Sequence, residues 1–183
     1  RGSASLIQTT KKKSTIPVIE TGAGNCHLYV EKSGDIEVAK KILINGKLQR
    51  PSVCNALESL LVDREIAEKA LPVLLSAMRE NNVTVHGCPE TAKIFPDVTP
   101  ATDEDYATEY HGYELSCKVV GSTDEAIAHI NKYGTHHSDA IVTENNAAAE
   151  KFLREVDSAA VYVNASTRFT DGFEFGFGAE MGI

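Results

Sequence analysis

The stretch Gln49-Arg50-Pro51-Ser52-Val53-Cys54-Asn55 holds the residues best suited to covalent chemistry. Pro51 disfavours helical backbone at Arg50, so the chain must turn here. A cysteine beside a turn, with backbone N–H groups at hand and an arginine nearby, sits in a setting that lowers a thiol pKa. The thiolate is a strong nucleophile towards carbonyl carbon. Taken alone, a single loop cysteine is more often structural than catalytic. Two carboxylates frame it: Glu20, which is 54 − 20 = 34 residues upstream in Val18-Ile19-Glu20-Thr21-Gly22, and Glu109 in Thr108-Glu109-Tyr110, shortly before a predicted strand. The other cysteines, Cys26, Cys88 and Cys117, read as buried thiols, and the absence of any CxxC pair points to a reducing compartment. Cys26-His27 and His86-Gly87-Cys88 fit no common zinc spacing, so no metal is expected.

The elements that must carry these residues alternate strand with helix. Ile16 to Ile19 and His27 to Val30 read as strands. Asp35 caps a helix from Ile36 to Leu48, whose Ile36, Ala39, Ile42 and Leu43 have helical spacing. Ser59 to Val62 is a strand, and Asp63 caps a helix to about Asn81, which Pro72 should kink or split. Thr84 to His86 is a strand closed by Gly87. Pro89 to Phe95 is a short helix, and Pro96 to Tyr106 a loop. Leu115 to Val120, Ala140 to Val142 and Ala160 to Val163 are strands. Helices run from Asp124 to Tyr133, capped by Ser122 or Thr123 and stopped by Gly134, and from Asn145 to Val156. Asn164 to Ile183 reads as irregular, with Phe173, Phe175 and Phe177 as packing residues rather than ligand contacts.

This alternation predicts an α/β fold, a mostly parallel sheet with helices on both faces. In such sheets ligands gather at the carboxyl ends of strands. That rule nominates Glu20-Thr21-Gly22, Cys88, Thr143-Glu144 and Asn164-Ala165-Ser166, and makes His136 and His137, at a strand's start, capping residues.

The 183 residues carry 18 basic and 26 acidic side chains, a net charge of 18 − 26 = −8. An acidic chain lacks the basic face that nucleic acid requires, so no such partner is expected. No apolar run is long enough to span a bilayer, so no membrane partner is expected either. The start, RGSASLIQTTKKKST, has no signal-peptide core and no initiator Met, and reads as a cut or processed cytoplasmic chain.

Beyond these patterns, the order Glu20, Cys54, Glu109 before a strand resembles the aldehyde dehydrogenase superfamily. Within it, the sequence is most similar to the glutamyl-5-phosphate reductase (glutamate-5-semialdehyde dehydrogenase) family. Pro17 to His27, Gln49 to Glu58, Ile130 to Gly134, His137 to Glu144, Asn164 to Phe169 and Phe175 to Glu180 carry the match. QRPSVCNA and NASTRF together are highly specific, and the likeness covers essentially the whole chain. Phe173 departs from the family, which has a second glycine after Asp171-Gly172.

The resemblance implies reduction of L-glutamyl 5-phosphate to glutamate 5-semialdehyde by NADPH, with phosphate released, in proline biosynthesis. Cys54 would form the thioester, its own N–H serving the oxyanion. Glu109 would bind the nicotinamide ribose. Glu20 matches the superfamily's general base. A reductase must avoid hydrolysis, so it is either a proton donor or structural. The substrate's carboxylate and phosphate call for Arg50 and Arg168, with Asn55, Ser166 and Thr167 as further contacts. The resemblance also implies that residues 1–15 connect to a nucleotide-binding domain absent from this sequence, that 16–183 form the catalytic domain, and that the full-length enzyme is a homo-oligomer. Two other readings remain at this stage: an assembly-only domain of the same fold, and an unrelated thiol hydrolase, for which no histidine lies near Cys54 in sequence.

Overall fold

A computed structural model describes residues 4–18 and 23–178. The elements in chain order are α1 (Ala4–Lys13), β1 (Cys26–Val30), α2 (Ile36–Leu48), β2 (Leu57–Asp63), α3 (Arg64–Glu80), β3 (Thr84–Gly87), α4 (Pro89–Ile94), β4 (Thr99–Pro100), α5 (Asp103–Ala107), β5 (Glu114–Val120), α6 (Thr123–Tyr133), β6 (Ser138–Val142), α7 (Asn146–Glu155) and β7 (Ala160–Val163), followed by a short 3-10 turn at Thr167–Phe169. Among the described residues, seven strands form one sheet in the order β4-β3-β5-β2-β1-β6-β7, with each of these pairings parallel.

Local chemistry starts the longer helices. The Asp35 carboxylate accepts from the N–H groups of Glu37 and Val38 at 2.8 and 3.0 Å. Asp63, Ser122 and Asn145 do the same for α3, α6 and α7. Alternation along the strands then divides the core between two faces. Leu28, Val30, Leu60 and Val62 pack with Leu43, Leu71, Leu74 and Leu75 of α2 and α3. Tyr29, Leu61 and Ile141 point the other way, against Ile127, Ile130 and Phe152 of α6 and α7. The predicted architecture, a parallel sheet with helices on both faces, is the observed one.

Four expectations are corrected. Ile16 to Val18 form no strand, and Ile19 lies outside the described residues. β1 is already flanked by β2 and β6, which leaves no place beside it. Pro72 does not split α3, which runs unbroken from Arg64 to Glu80. Both Pro72 and Glu68, whose carbonyl loses its N–H partner, are exposed, so water can satisfy that oxygen. The predicted loop at 96–106 contains β4 and α5, the latter started by Thr102, whose N–H and hydroxyl both reach Asp105. Phe173 and Phe177, expected as packing residues, are largely exposed, at 74% and 80%.

Candidate active site

The Cys54 turn lies between α2 and β2. Val53 donates to the Arg50 carbonyl at 3.4 Å and Ala56 to the Val53 carbonyl at 3.0 Å, so two tight turns carry Cys54 outward. Of the four cysteines, Cys54 is the exposed one; Cys26, Cys88 and Cys117 are buried. Burial pushes the Cys26 thiol up, aided by the Asp139 charge, and pushes Cys117 up to about 12.

The backbone of Cys54 is held from beneath. A Cβ on Gly24 would stand 1.7 Å from the Cys54 carbonyl oxygen, so only glycine permits this approach. The Cys26 thiol donates to the same oxygen at 3.3 Å. Asn55, only 4% exposed, donates its amide to the Thr170 carbonyl at 2.8 Å, and its own carbonyl accepts from Thr167 at 2.7 Å. Arg168 donates to the Asn55 side-chain oxygen and, at 3.2 Å, to Gln49. Ser166 accepts from the Arg168 N–H at 3.2 Å. Asn55 and the fully buried Thr167 are thus engaged in bracing the turn. Arg168 is half-buried, whereas Arg50 is exposed. Among the described residues neither arginine is paired with a carboxylate.

Glu109 lies between α5 and β5. Its side chain is 12% exposed and stands 3.3 Å from His111 Nε2. The His111 N–H donates to Glu58 at 3.3 Å, and the other Glu58 oxygen accepts from Lys47 at 2.5 Å. Both members of that ion pair are buried. Burial raises the Glu58 carboxyl and lowers the Lys47 ammonium, while their mutual attraction opposes both. His137 Nδ1 lies 2.9 Å from the Ser138 hydroxyl and 4.0 Å from Cys26 Sγ. Burial holds His137 below the usual histidine range, against the pull of Asp139 and Glu109.

The structure therefore brings Cys54, Asn55 and Glu109 to the amino-terminal edge of the sheet, where β2, β5 and β6 begin. Cys54, Asn55 and Glu109 thus all precede strands, whereas Cys88, Thr143-Glu144 and Asn164 to Ser166, which the carboxyl-end rule nominated, follow β3, β6 and β7 at the opposite edge. Where β1 and β6 end, buried Glu31 accepts from Ser33 and Thr143. Cys88 is buried at the end of β3 and engaged with Thr91. The edge rule had also set His137 aside, yet the start of β6 is the same edge that Cys54 occupies. Glu20 lies outside the described residues. Two residues to which the sequence reading gave no role, Lys47 and Glu58, were marked by a weak signal. Lys47 continues the buried Ala39–Leu43 stripe of α2, and Glu58 stands near the start of a central strand that is buried along its whole length.

A scan against protein-family models finds no match. The gamma-glutamyl phosphate reductase of Dictyoglomus thermophilum is 62% identical over all 183 residues, which are 44% of that protein. That of Lactiplantibacillus plantarum is 59% identical over the same span, again 44% of its length. The crystal structure of the gamma-glutamyl phosphate reductase from Thermotoga maritima matches with a TM-score of 0.96 at 54% identity, covering 100% of this chain and 44% of that one. An acetylating aldehyde dehydrogenase from Geobacillus thermoglucosidasius, 19% identical, matches with a TM-score of 0.73 over 94% of this chain and 47% of its own, a likeness of fold. The chain spans less than half the length of the curated relatives it matches.

Proposed function

We propose that the chain, 62% identical along its whole length to a gamma-glutamyl phosphate reductase of which it spans 44%, belongs with those reductases and carries the nucleophile of an enzyme that reduces L-glutamyl 5-phosphate to L-glutamate 5-semialdehyde and releases phosphate, in proline biosynthesis. The observation that carries this reading is Cys54, the one exposed thiol, displayed on a turn whose backbone is held by Gly24, Cys26 and Asn55.

Cys54 attacks the acyl carbon, a C–S bond forms, and the C–O bond to phosphate breaks to leave a thioester. A thiolate suits both halves of the reaction because it is a soft nucleophile and a good leaving group. The Cys54 N–H is the nearest donor for the developing oxyanion. NADPH, when bound, supplies the hydride that takes the acyl group to the aldehyde. The site fits that cofactor at one point, the half-buried Glu109 carboxylate, which has the acceptor capacity for two ribose hydroxyls. Arg50 and Arg168 are assigned to the substrate's carboxylate and phosphate, with Ser166 beside them. Asn55 and Thr167, braced inward, serve the substrate by fixing the turn. Glu20, which by resemblance matches the superfamily's general base, is assigned here as either a proton donor to the thiohemiacetal or a structural residue. Residues 16–183 form the catalytic domain, 1–15 connect to the nucleotide-binding domain, and the whole enzyme works as a cytoplasmic homo-oligomer.

The test uses the full-length enzyme. Cys54→Ala is expected to lower the phosphate-dependent oxidation of glutamate semialdehyde by at least about a thousandfold. Iodoacetamide near neutral pH should modify Cys54 well before the three buried cysteines. Activity retained within tenfold in Cys54→Ala removes the residue from its role.

A further inference from the structure

The buried Lys47–Glu58 pair occupies a particular place in the chain. It joins residues 11 apart, the last turn of α2 and the start of β2, and Cys54 lies on the loop between them. The two elements touch directly there, since a Cβ on Gly46 would come within 2.4 Å of the Leu57 side chain. The second Glu58 oxygen reaches across the sheet edge to the His111 N–H, at 3.3 Å. His111 has φ +57°, a left-handed conformation that a non-glycine residue keeps when its surroundings hold it. Two residues before it stands Glu109.

We propose that Glu58 is a positioning residue, a buried buckle whose two carboxylate oxygens fix the Cys54 turn and the Glu109 loop relative to each other. An apolar pair of similar volume would pack as well as a buried ion pair, and is often no less stable. It would not accept the His111 N–H. An acceptor oxygen at position 58 is therefore what the second bond needs, and Lys47 neutralises the carboxylate that supplies it here. The inference rests on the reading of Glu109 as the ribose ligand.

Two double variants of the full-length enzyme separate positioning from stability. Both remove the buried charges. Lys47→Met with Glu58→Gln keeps a side-chain oxygen for His111, whereas Lys47→Met with Glu58→Leu does not. The Leu form is expected to raise the KM for NADPH about tenfold, with kcat within about threefold of wild type. The Gln form should return KM to within about twofold of wild type. Equal KM values in the two forms overturn the proposal. Glu109→Ala is run beside them. A raised KM there with two unaltered double variants sinks the buckle, whereas an unaltered KM in Glu109→Ala sinks the ribose reading instead. Should either double variant fail to fold, amide hydrogen exchange on the wild-type enzyme decides. The His111 amide is expected to exchange at least about tenfold more slowly than its unprotected rate. Exchange at the unprotected rate overturns the proposal.

Discussion

Cys54 owes its exposure to its neighbours' burial. Gly24 and Cys26 press against its carbonyl, and Asn55 is tied inward by Thr167, Thr170 and Arg168, so the thiol side is left facing outward. The contact with Gly24 is backbone against backbone, and no rotamer change relieves it. Gly24→Ala in the full-length enzyme is therefore expected to displace Cys54, since the added Cβ would lie 1.7 Å from its carbonyl oxygen. A shift of the nucleophile by about an ångström costs on the order of a hundredfold in rate. Steady-state kinetics and the rate of Cys54 alkylation check this, and a variant with wild-type kcat/KM and labelling contradicts it.

Among the elements, α3 combines a strong start with an interior fault. Asp63 caps it, and Ala67, Ala70, Leu71, Leu74, Leu75 and Met78 fill its buried stripe, enough to carry the helix through Pro72. Because Pro72 is exposed, replacement by alanine disturbs no core packing and restores the missing N–H. Pro72→Ala is expected to stabilise the domain by about 1–2 kcal/mol, the helix gain less the entropy returned to the unfolded chain. A lowered thermal midpoint would show that the proline is needed where it stands. The caps were legible in the sequence because each is a contact between a side chain and an N–H two or three residues on, as at Asp35 and Asp63. The failed strand at Ile16 was not, because a strand needs a neighbour and the sequence does not say which edges are taken.

At the scale of the molecule, the face covered by α6 and α7 contains a buried histidine that makes it sensitive to acid. His129 is 4% exposed, neither ring nitrogen has a hydrogen-bond partner, and it packs on His27, Tyr106 and Tyr133. Burial lowers its pKa to about 3, with the His27, Lys118 and Lys132 charges adding to the effect and Asp103 opposing it. Above pH 6.5 the ring is neutral whether the chain is folded or not. Below it the unfolded chain takes up a proton that the folded one refuses, so stability falls as pH drops from 6.5 towards 3. The loss by pH 5 is about 2 kcal/mol. His129→Phe removes no hydrogen bond and should shrink the drop in thermal midpoint between pH 7.5 and pH 5. An undiminished drop would place the acid sensitivity elsewhere.

What the sequence determined by itself was local or periodic: helix starts, the alternation that makes a parallel α/β sheet, and the QRPSVCNA turn with its nucleophile. The tertiary structure decided which edge of the sheet these residues share. Cys54, Glu109 and His137 all precede strands, and only the order of the parallel strands reveals that the starts of β5 and β2 are neighbours and that β6 begins one strand further along, across β1. It also decided that Lys47 and Glu58, unremarkable charges 11 residues apart, meet out of water. The physical reason is the same in both cases: burial and strand order depend on contacts between distant segments, and no single segment encodes its partner.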